Sequence, residues 1–189
     1  MEHPPGRESE PDIFTIGHST RTFEEMVACL RDRRIGLLAD VRSMPRSRHN
    51  PQFNQSELAR RLPEAGIKYR HLPLLGGLRK GREDSPNKGW RSPGFRAYAD
   101  YMAEEDFARG LAELTRLAGE ERVAVMCAER LWWRCHRSLI SDALTVAGLS
   151  VGHIMDPGKL TPHRLTPFAR TEGGRLTYPA PEGEEALGG

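Results

Sequence analysis

Val123-Ala-Val-Met-Cys127 is the stretch on which the reading of the fold turns. Its residues are all apolar and lie between Arg122 and Ala128-Glu129-Arg130, as expected of a short strand covered on both faces. Behind it Leu131, Cys135, Leu139, Ala143 and Ala147 recur every fourth residue, flanked by Trp132, Ile140 and Leu144, which predicts a helix packed along that face. Val151 to Met155 is β-type again. Strand, helix and strand in this order form a crossover unit, and crossover units imply parallel pairing.

The same alternation runs upstream. Asp12 to Gly17 is a short β-type run ending in Gly-His-Ser-Thr. Thr22 and Glu25 have capping-box spacing, and Phe23, Met26, Val27 and Leu30 behind them make an amphipathic helix. Gly36 to Val41 is a second, nearly continuous apolar strand. Asn54 with Glu57 opens another helix through Leu58 and Leu62, Gly66 closes it, and Lys68 to Leu72 is strand three. Pro73 to Gly94 is a Gly-, Pro- and Arg-rich stretch of a length that is often functional. Phe95 to Leu117 reads as helical, with a stripe of Phe95, Tyr98, Tyr101 and Met102 and a break near Asp106. The order predicts an α/β fold, a mainly parallel five-stranded sheet with helices on both faces, as a single domain over 12–179. After Pro157 the pattern dissolves, except that Glu172-Gly173-Gly174 can turn a C-terminal β-hairpin between Phe168–Thr171 and Arg175–Tyr178. Residues 1–11 and 180–189 are expected to be disordered.

Composition fits this reading. Of 189 residues, 38% are hydrophobic and 29% charged, which excludes general disorder. The longest apolar runs, Ile35 to Val41 and Val123 to Ala128, are far shorter than a membrane span, and the first dozen residues lack the apolar core of a signal peptide. Three Cys make no complete disulfide framework, so the expected compartment is the reducing cytoplasm and no membrane partner is expected. The net charge of +2 hides an asymmetry: Arg31 to Arg96 holds 16 basic and six acidic residues. Such a split can attract phosphate or nucleic acid, provided that clustering in sequence becomes clustering in space.

Reactive residue types fall repeatedly at strand ends, where open parallel sheets bind ligands. His18 follows strand one, Asp40 and Arg42 close strand two, His71 closes strand three, and Cys127 and Glu129 close strand four. Cys127, between a buried strand and a helix start, is the candidate thiolate, because a helix N-terminus lowers a thiol pKa. It does not match the Cys-x5-Arg loop of thiol phosphatases, since Trp133 holds the sixth place after it. Cys135 reads as core on the helix face, and His136 is compatible with packing between Trp132 and Ile140. Thiolates and imidazole also suit zinc, so a site built from Cys127, Cys135, His136 and His18 stays open, although Cys-x7-Cys-His is not a standard ligand spacing. Arg46 and Arg48 add planar forks suited to phosphate, and Trp90 with Arg91 would supply a stacking platform for a base.

Taken together, Ile16-Gly-His-Ser-Thr20, Asp40-Val-Arg-Ser43, Pro45-Arg-Ser-Arg48, His71-Leu-Pro73 and Leu75-Gly-Gly77 form a distinctive set. Ser85-Pro-Asn87, Gly89-Trp-Arg91, Met126-Cys-Ala-Glu129, Arg134-Cys-His-Arg137 and Leu165-Thr-Pro-Phe168 complete it. The set resembles the uncharacterised bacterial family catalogued as domain of unknown function 488, from about Ile13 to Tyr178. The resemblance implies a compact α/β domain of the bacterial cytoplasm and supplies no reaction.

The expectation is therefore an enzyme acting on a phosphate-bearing ligand, a nucleotide or nucleic acid. Cys127 serves in it as nucleophile or redox thiol beside Glu129, His18 or His71 as acid/base, and Asp40 as orienting group. Arg42, Arg46, Arg48 and Arg137 hold the anion, and Ser19, Gly76, Gly77, Trp90, Arg91 and His136 complete the ligand-binding set. No resident metal and no cofactor are assigned. A non-catalytic nucleic-acid-binding module and a zinc-stabilised structural domain are the competing readings.

Overall fold

The computed structural model describes residues 10–181. In chain order they form β1 (Ile13–Gly17), α1 (Phe23–Asp32), β2 (Leu37–Asp40), α2 (Gln55–Glu64), β3 (Lys68–His71), α3 (Pro93–Tyr101) and α4 (Glu105–Glu120). Then come β4 (Val123–Cys127), α5 (Arg137–Val146), β5 (Val151–Asp156), β6 (Lys159–Pro162), β7 (Arg170–Glu172) and β8 (Arg175–Thr177). Six strands make one sheet in the order β3-β2-β4-β1-β5-β6, and β7 and β8 pair separately. All pairings within the large sheet are parallel except that of β6 with β5.

β4 sits between β2 and β1, which is why its residues have no polar face to spare. Val123 and Val125 enter a core built with α3, α4 and α5, while Ala124 and Met126 face α1 and α2 on the other side. Helices thus cover both faces of the sheet. At the start of α1 the capping box forms: Glu25 N donates to Thr22 Oγ1 at 3.1 Å and Thr22 N donates to Glu25 Oε2 at 2.7 Å.

The sheet has six strands, not the expected five. After the Pro157-Gly158 turn the chain doubles back as β6, an edge strand that is mostly exposed and so carries no apolar alternation to read. The C-terminal hairpin is present and shorter than its expected limits. Glu172 pairs with Arg175 across Gly173 (φ +56°) and Gly174 (φ +78°), and two successive positive φ values make the tight turn that glycine pairs favour.

Two helix limits also differ. The break expected near Asp106 falls at 102–104, and Asp106 instead lies in the first turn of α4, where its charge complements the helix dipole. The helix expected from Leu131 starts at Arg137. Residues 128–136 form a loop with one 3-10 turn at Trp132–Arg134, tied down by the buried Arg137 guanidinium, which donates to the carbonyls of Glu129 and Arg130. Cys127 is accordingly not at a helix N-terminus.

The long 73–94 stretch is anchored rather than loose. Ser85 and Asn87 donate to the Asp100 carboxylate of α3, and Tyr178 N donates to Asn87 Oδ1 at 2.9 Å. Trp90 packs among Phe95, Phe168 and Tyr178, with ring centroids 4.9, 4.9 and 5.3 Å away. It is partly buried, packed against the core and the C-terminal segment by its aromatic neighbours. Part of the basic stretch is likewise neutralised by tertiary pairing. Arg61 meets Glu24, Lys68 meets Glu121 and Arg70 meets Glu113, all acids from outside that stretch.

Of the ends expected to be disordered, 1–9 and 182–189 lie outside the described residues; Glu10, just inside them, pairs with Arg122. Among the described residues no helix is long and apolar enough to cross a membrane.

Candidate functional site

The adjacent C-terminal ends of β2, β4 and β1 open onto one cleft of about 680 Å³. β1 delivers His18 and Ser19 to it, β2 delivers Arg42 and Ser43, and β4 delivers Cys127 and Glu129. Cys135 and His136 arrive from the loop that leads into α5. β3 lies at the sheet edge, and its His71 is outside the cleft, donating from Nε2 to the Arg42 carbonyl at 2.8 Å.

Three groups converge in the cleft wall. Cys127 Sγ lies 3.9 Å and Cys135 Sγ 3.7 Å from His136 Nδ1, and the three atoms are mutually within 4.8 Å, close enough for one cation to reach all of them. His136 Nε2–H donates to the Val41 carbonyl at 3.1 Å, so Nδ1 is the ring atom turned to the sulfurs. Gly77 gives the ring its room, because a Cβ there would lie 2.7 Å from His136 Nδ1.

The two thiols share their protonation. The hydrogen bond with Cys127, with His136 and Arg137 beside it, holds Cys135 well below the usual thiol range. Cys127 is pushed up by the same hydrogen bond and by burial. Of the two sulfurs, the surroundings favour the anion on Cys135, which the sequence reading placed in the core. Cys135 is indeed buried, at 5% exposure, but its sulfur faces the cleft cluster.

Beside the cluster stands a fully engaged polar assembly. Arg42 donates to both oxygens of the buried Asp40 carboxylate, at 2.9 and 2.6 Å, and to the Phe53 carbonyl at 2.7 Å. Its Nη1 donates to His18 Nε2 at 3.3 Å, while His18 Nδ1–H donates to the Ser19 carbonyl at 2.9 Å. Tyr69 Oη also donates to Asp40, at 2.7 Å. Burial lowers the His18 pKa to about 4, so the ring is neutral near pH 7 and both its nitrogens are occupied. Asp40, His18 and Arg42 therefore form a rigid support whose hydrogen bonds are directed at one another. Ser19, at the turn after His18, has φ +50°, a strained conformation for a residue with a Cβ, and lines the cleft.

Arg46 and Arg134 line the cleft, and their guanidinium groups make no hydrogen bond or ion pair among the described residues. Arg48 lines an adjoining hollow that shares Met44, Arg46 and Ser47 with the cleft. Gly76 sits behind the cleft against Ser43, and Arg91 is exposed away from it. Arg137 is 1% exposed and, besides the loop carbonyls, donates to Thr15 Oγ1 at 3.2 Å. It supports the loop from below rather than facing a ligand. The sequence reading missed Ser43, Ser47, Asn50 and Phe95 as cleft residues. Ser43 adjoins Arg42, which it did choose, so proximity to strand ends was the available signal.

Among protein-family models, that of Domain of unknown function DUF488 matches residues 22–144, a span that includes Cys127, Cys135 and His136. No curated protein and no solved structure matches the chain.

Proposed function

The chain belongs to the family described as Domain of unknown function DUF488, and from that premise we propose an enzyme that acts on a phosphate-bearing ligand, with the Cys127–Cys135–His136 cluster as its reaction centre. The observation that carries this reading is the cluster's place in a cleft also lined by two guanidinium groups that have no side-chain partner among the described residues. Arg46 and Arg134 present planar forks that match phosphate oxygens, and the Ser19, Ser43 and Ser47 hydroxyls add donors. Among the described residues Glu129 is the single carboxylate lining the cleft, and one of its oxygens already accepts from Leu131 N at 3.0 Å. An anion entering the cleft therefore meets guanidinium groups and a sulfur-based reactive group in the same space.

Inorganic pyrophosphate as binding probe, with p-nitrophenyl phosphate and bis(p-nitrophenyl) phosphate as chromogenic esters, tests this. Wild type is expected to bind pyrophosphate and to release nitrophenol. R46A/R134A should weaken binding, whereas C135S should abolish release and leave pyrophosphate affinity largely intact. Pyrophosphate affinity unchanged in R46A/R134A, with no ester turned over, would reject the reading.

One observation favours nucleic-acid binding without turnover: the hollow lined by Arg48, Asn54 and Ser56 continues the cleft across Met44 and Arg46. That reading requires affinity for an oligonucleotide to fall by about 10³–10⁵ between 50 and 200 mM salt if 6–10 phosphates are contacted. A flat salt response removes it.

A further inference from the structure

We propose that Cys127 Sγ, Cys135 Sγ and His136 Nδ1 are the three protein ligands of one zinc-class divalent cation, whose fourth coordination position opens into the cleft. The inference rests on the reading of the cleft as the reaction site and names the group that would work there. Zinc binds thiolate at about 2.3 Å and imidazole at about 2.0–2.1 Å, which in a tetrahedron sets sulfur-to-nitrogen edges of about 3.5 Å. The observed edges are 3.9 and 3.7 Å, so small side-chain shifts bring all three atoms onto one centre. Ligands of this softness favour zinc over magnesium or calcium.

A second feature is independent of those distances. A metal-binding imidazole is normally aimed by a hydrogen bond from its other nitrogen to a carbonyl or carboxylate. His136 has that arrangement, with Nε2–H on the Val41 carbonyl at 3.1 Å and Nδ1 toward both sulfurs. Cys127 stands at the end of a central strand and His136 immediately precedes α5, so two of the three ligands adjoin rigid elements. Among the described residues no fourth His, Cys, Asp or Glu joins this group, and the cleft's Glu129 already accepts from Leu131 N. Both His18 nitrogens are engaged by Ser19 and Arg42, and Cys29 lies in the core beneath α1. Structural zinc sites close all four positions with protein atoms, whereas catalytic sites keep one for water or substrate. Three ligands lining an open cleft belong to the second kind.

The test uses the full chain, stripped with chelator under reducing conditions and titrated with Zn²⁺ against a chromophoric competitor. One equivalent should bind. C127S and C135S should each weaken binding beyond the roughly 10–100-fold typical of losing an outer hydrogen bond, and C29S should leave it unchanged. Cobalt(II) in wild type should give the intense visible bands of a tetrahedral ion and a sulfur charge-transfer band, and pyrophosphate or cyanide should shift the visible bands through the open position. If the serine variants fail to fold, the wild-type cobalt spectrum decides. No metal uptake, uptake equal in C127S, or a cobalt spectrum without sulfur bands overturns the site. Visible bands indifferent to added anion overturn the open position. Ester turnover that persists in metal-free protein overturns the metal's role while leaving the enzyme reading standing.

Discussion

Replacing Arg42 by Met separates a supporting role for this residue from an anion-holding one. Its guanidinium is 6% exposed and its partner Asp40 is 0% exposed. Removing the cation leaves a carboxylate with the Tyr69 hydroxyl and the backbone N–H of residue 42 as remaining donors, in a place that water does not reach. Breaking a buried pair by deleting one partner costs about 3–5 kcal/mol. The Phe53 carbonyl and His18 Nε2 also lose a donor, so the upper part of that range applies. For a chain of this size the loss corresponds to a melting temperature lower by roughly 6–20 °C. D40N carries a cost of its own, but R42M/D40N should cost less than the sum of the singles, with a coupling of about 1–3 kcal/mol, because no isolated charge remains. Urea unfolding of the four proteins at pH 7 closes the cycle. An R42M protein within about 0.5 kcal/mol of wild type, the scatter of an ordinary surface change, but unable to bind pyrophosphate, would refute the argument and return Arg42 to the ligand.

Acid should destabilise the fold through its neutral histidines. Burial lowers His18 from 6.5 to about 4 and His153 to about 2, so below pH 6.5 the unfolded chain takes up protons that the native state refuses. Stability is full above that pH and falls with pH, by roughly 3 kcal/mol between 6.5 and 4 for His18 alone; urea midpoints that stay level over this window would contradict it. W90A should lose about 3–5 kcal/mol of stability by emptying the aromatic cluster, with pyrophosphate affinity unchanged in calorimetry. A loss of affinity at full stability would make Trp90 a ligand platform after all. G77A should push the His136 ring off its place, costing about 1–3 kcal/mol in overpacking and changing the alkylation rates of Cys127 and Cys135. Unaltered rates and melting would show that the loop yields freely.

The parts of the fold legible in sequence were those decided within a few residues. Thr22 with Glu25, and Gly173 with Gly174, specify a helix start and a turn by local geometry alone. Val123 to Met126 reads as a central strand because a strand covered on both faces tolerates no polar residue. β6 was invisible for the opposite reason: an exposed edge strand takes its pairing from β5 and needs no apolar pattern of its own. The start of α5 was misread because Leu131 and Cys135 keep helical spacing while their backbone is drawn into a loop by Arg137.

The site divides along the same line. The chain order brought His18, Arg42 and Cys127 to one sheet edge, since parallel strands place every βα junction on the same side. Which of these groups are free was decided by tertiary burial. Asp40 and Arg42 neutralise each other and tie up His18, three members of the basic stretch pair with acids distant in sequence, and Trp90 packs among aromatic rings. Cys127, Cys135 and His136 meet because a loop folds back over the end of β4, a contact that no periodicity encodes. The sequence by itself determined the layered α/β order and the edge that carries reactive groups, through hydrophobic patterning and strand direction. Only the tertiary structure decided which of those groups face the cleft, because that depends on which charges and hydrogen bonds are satisfied before a ligand arrives.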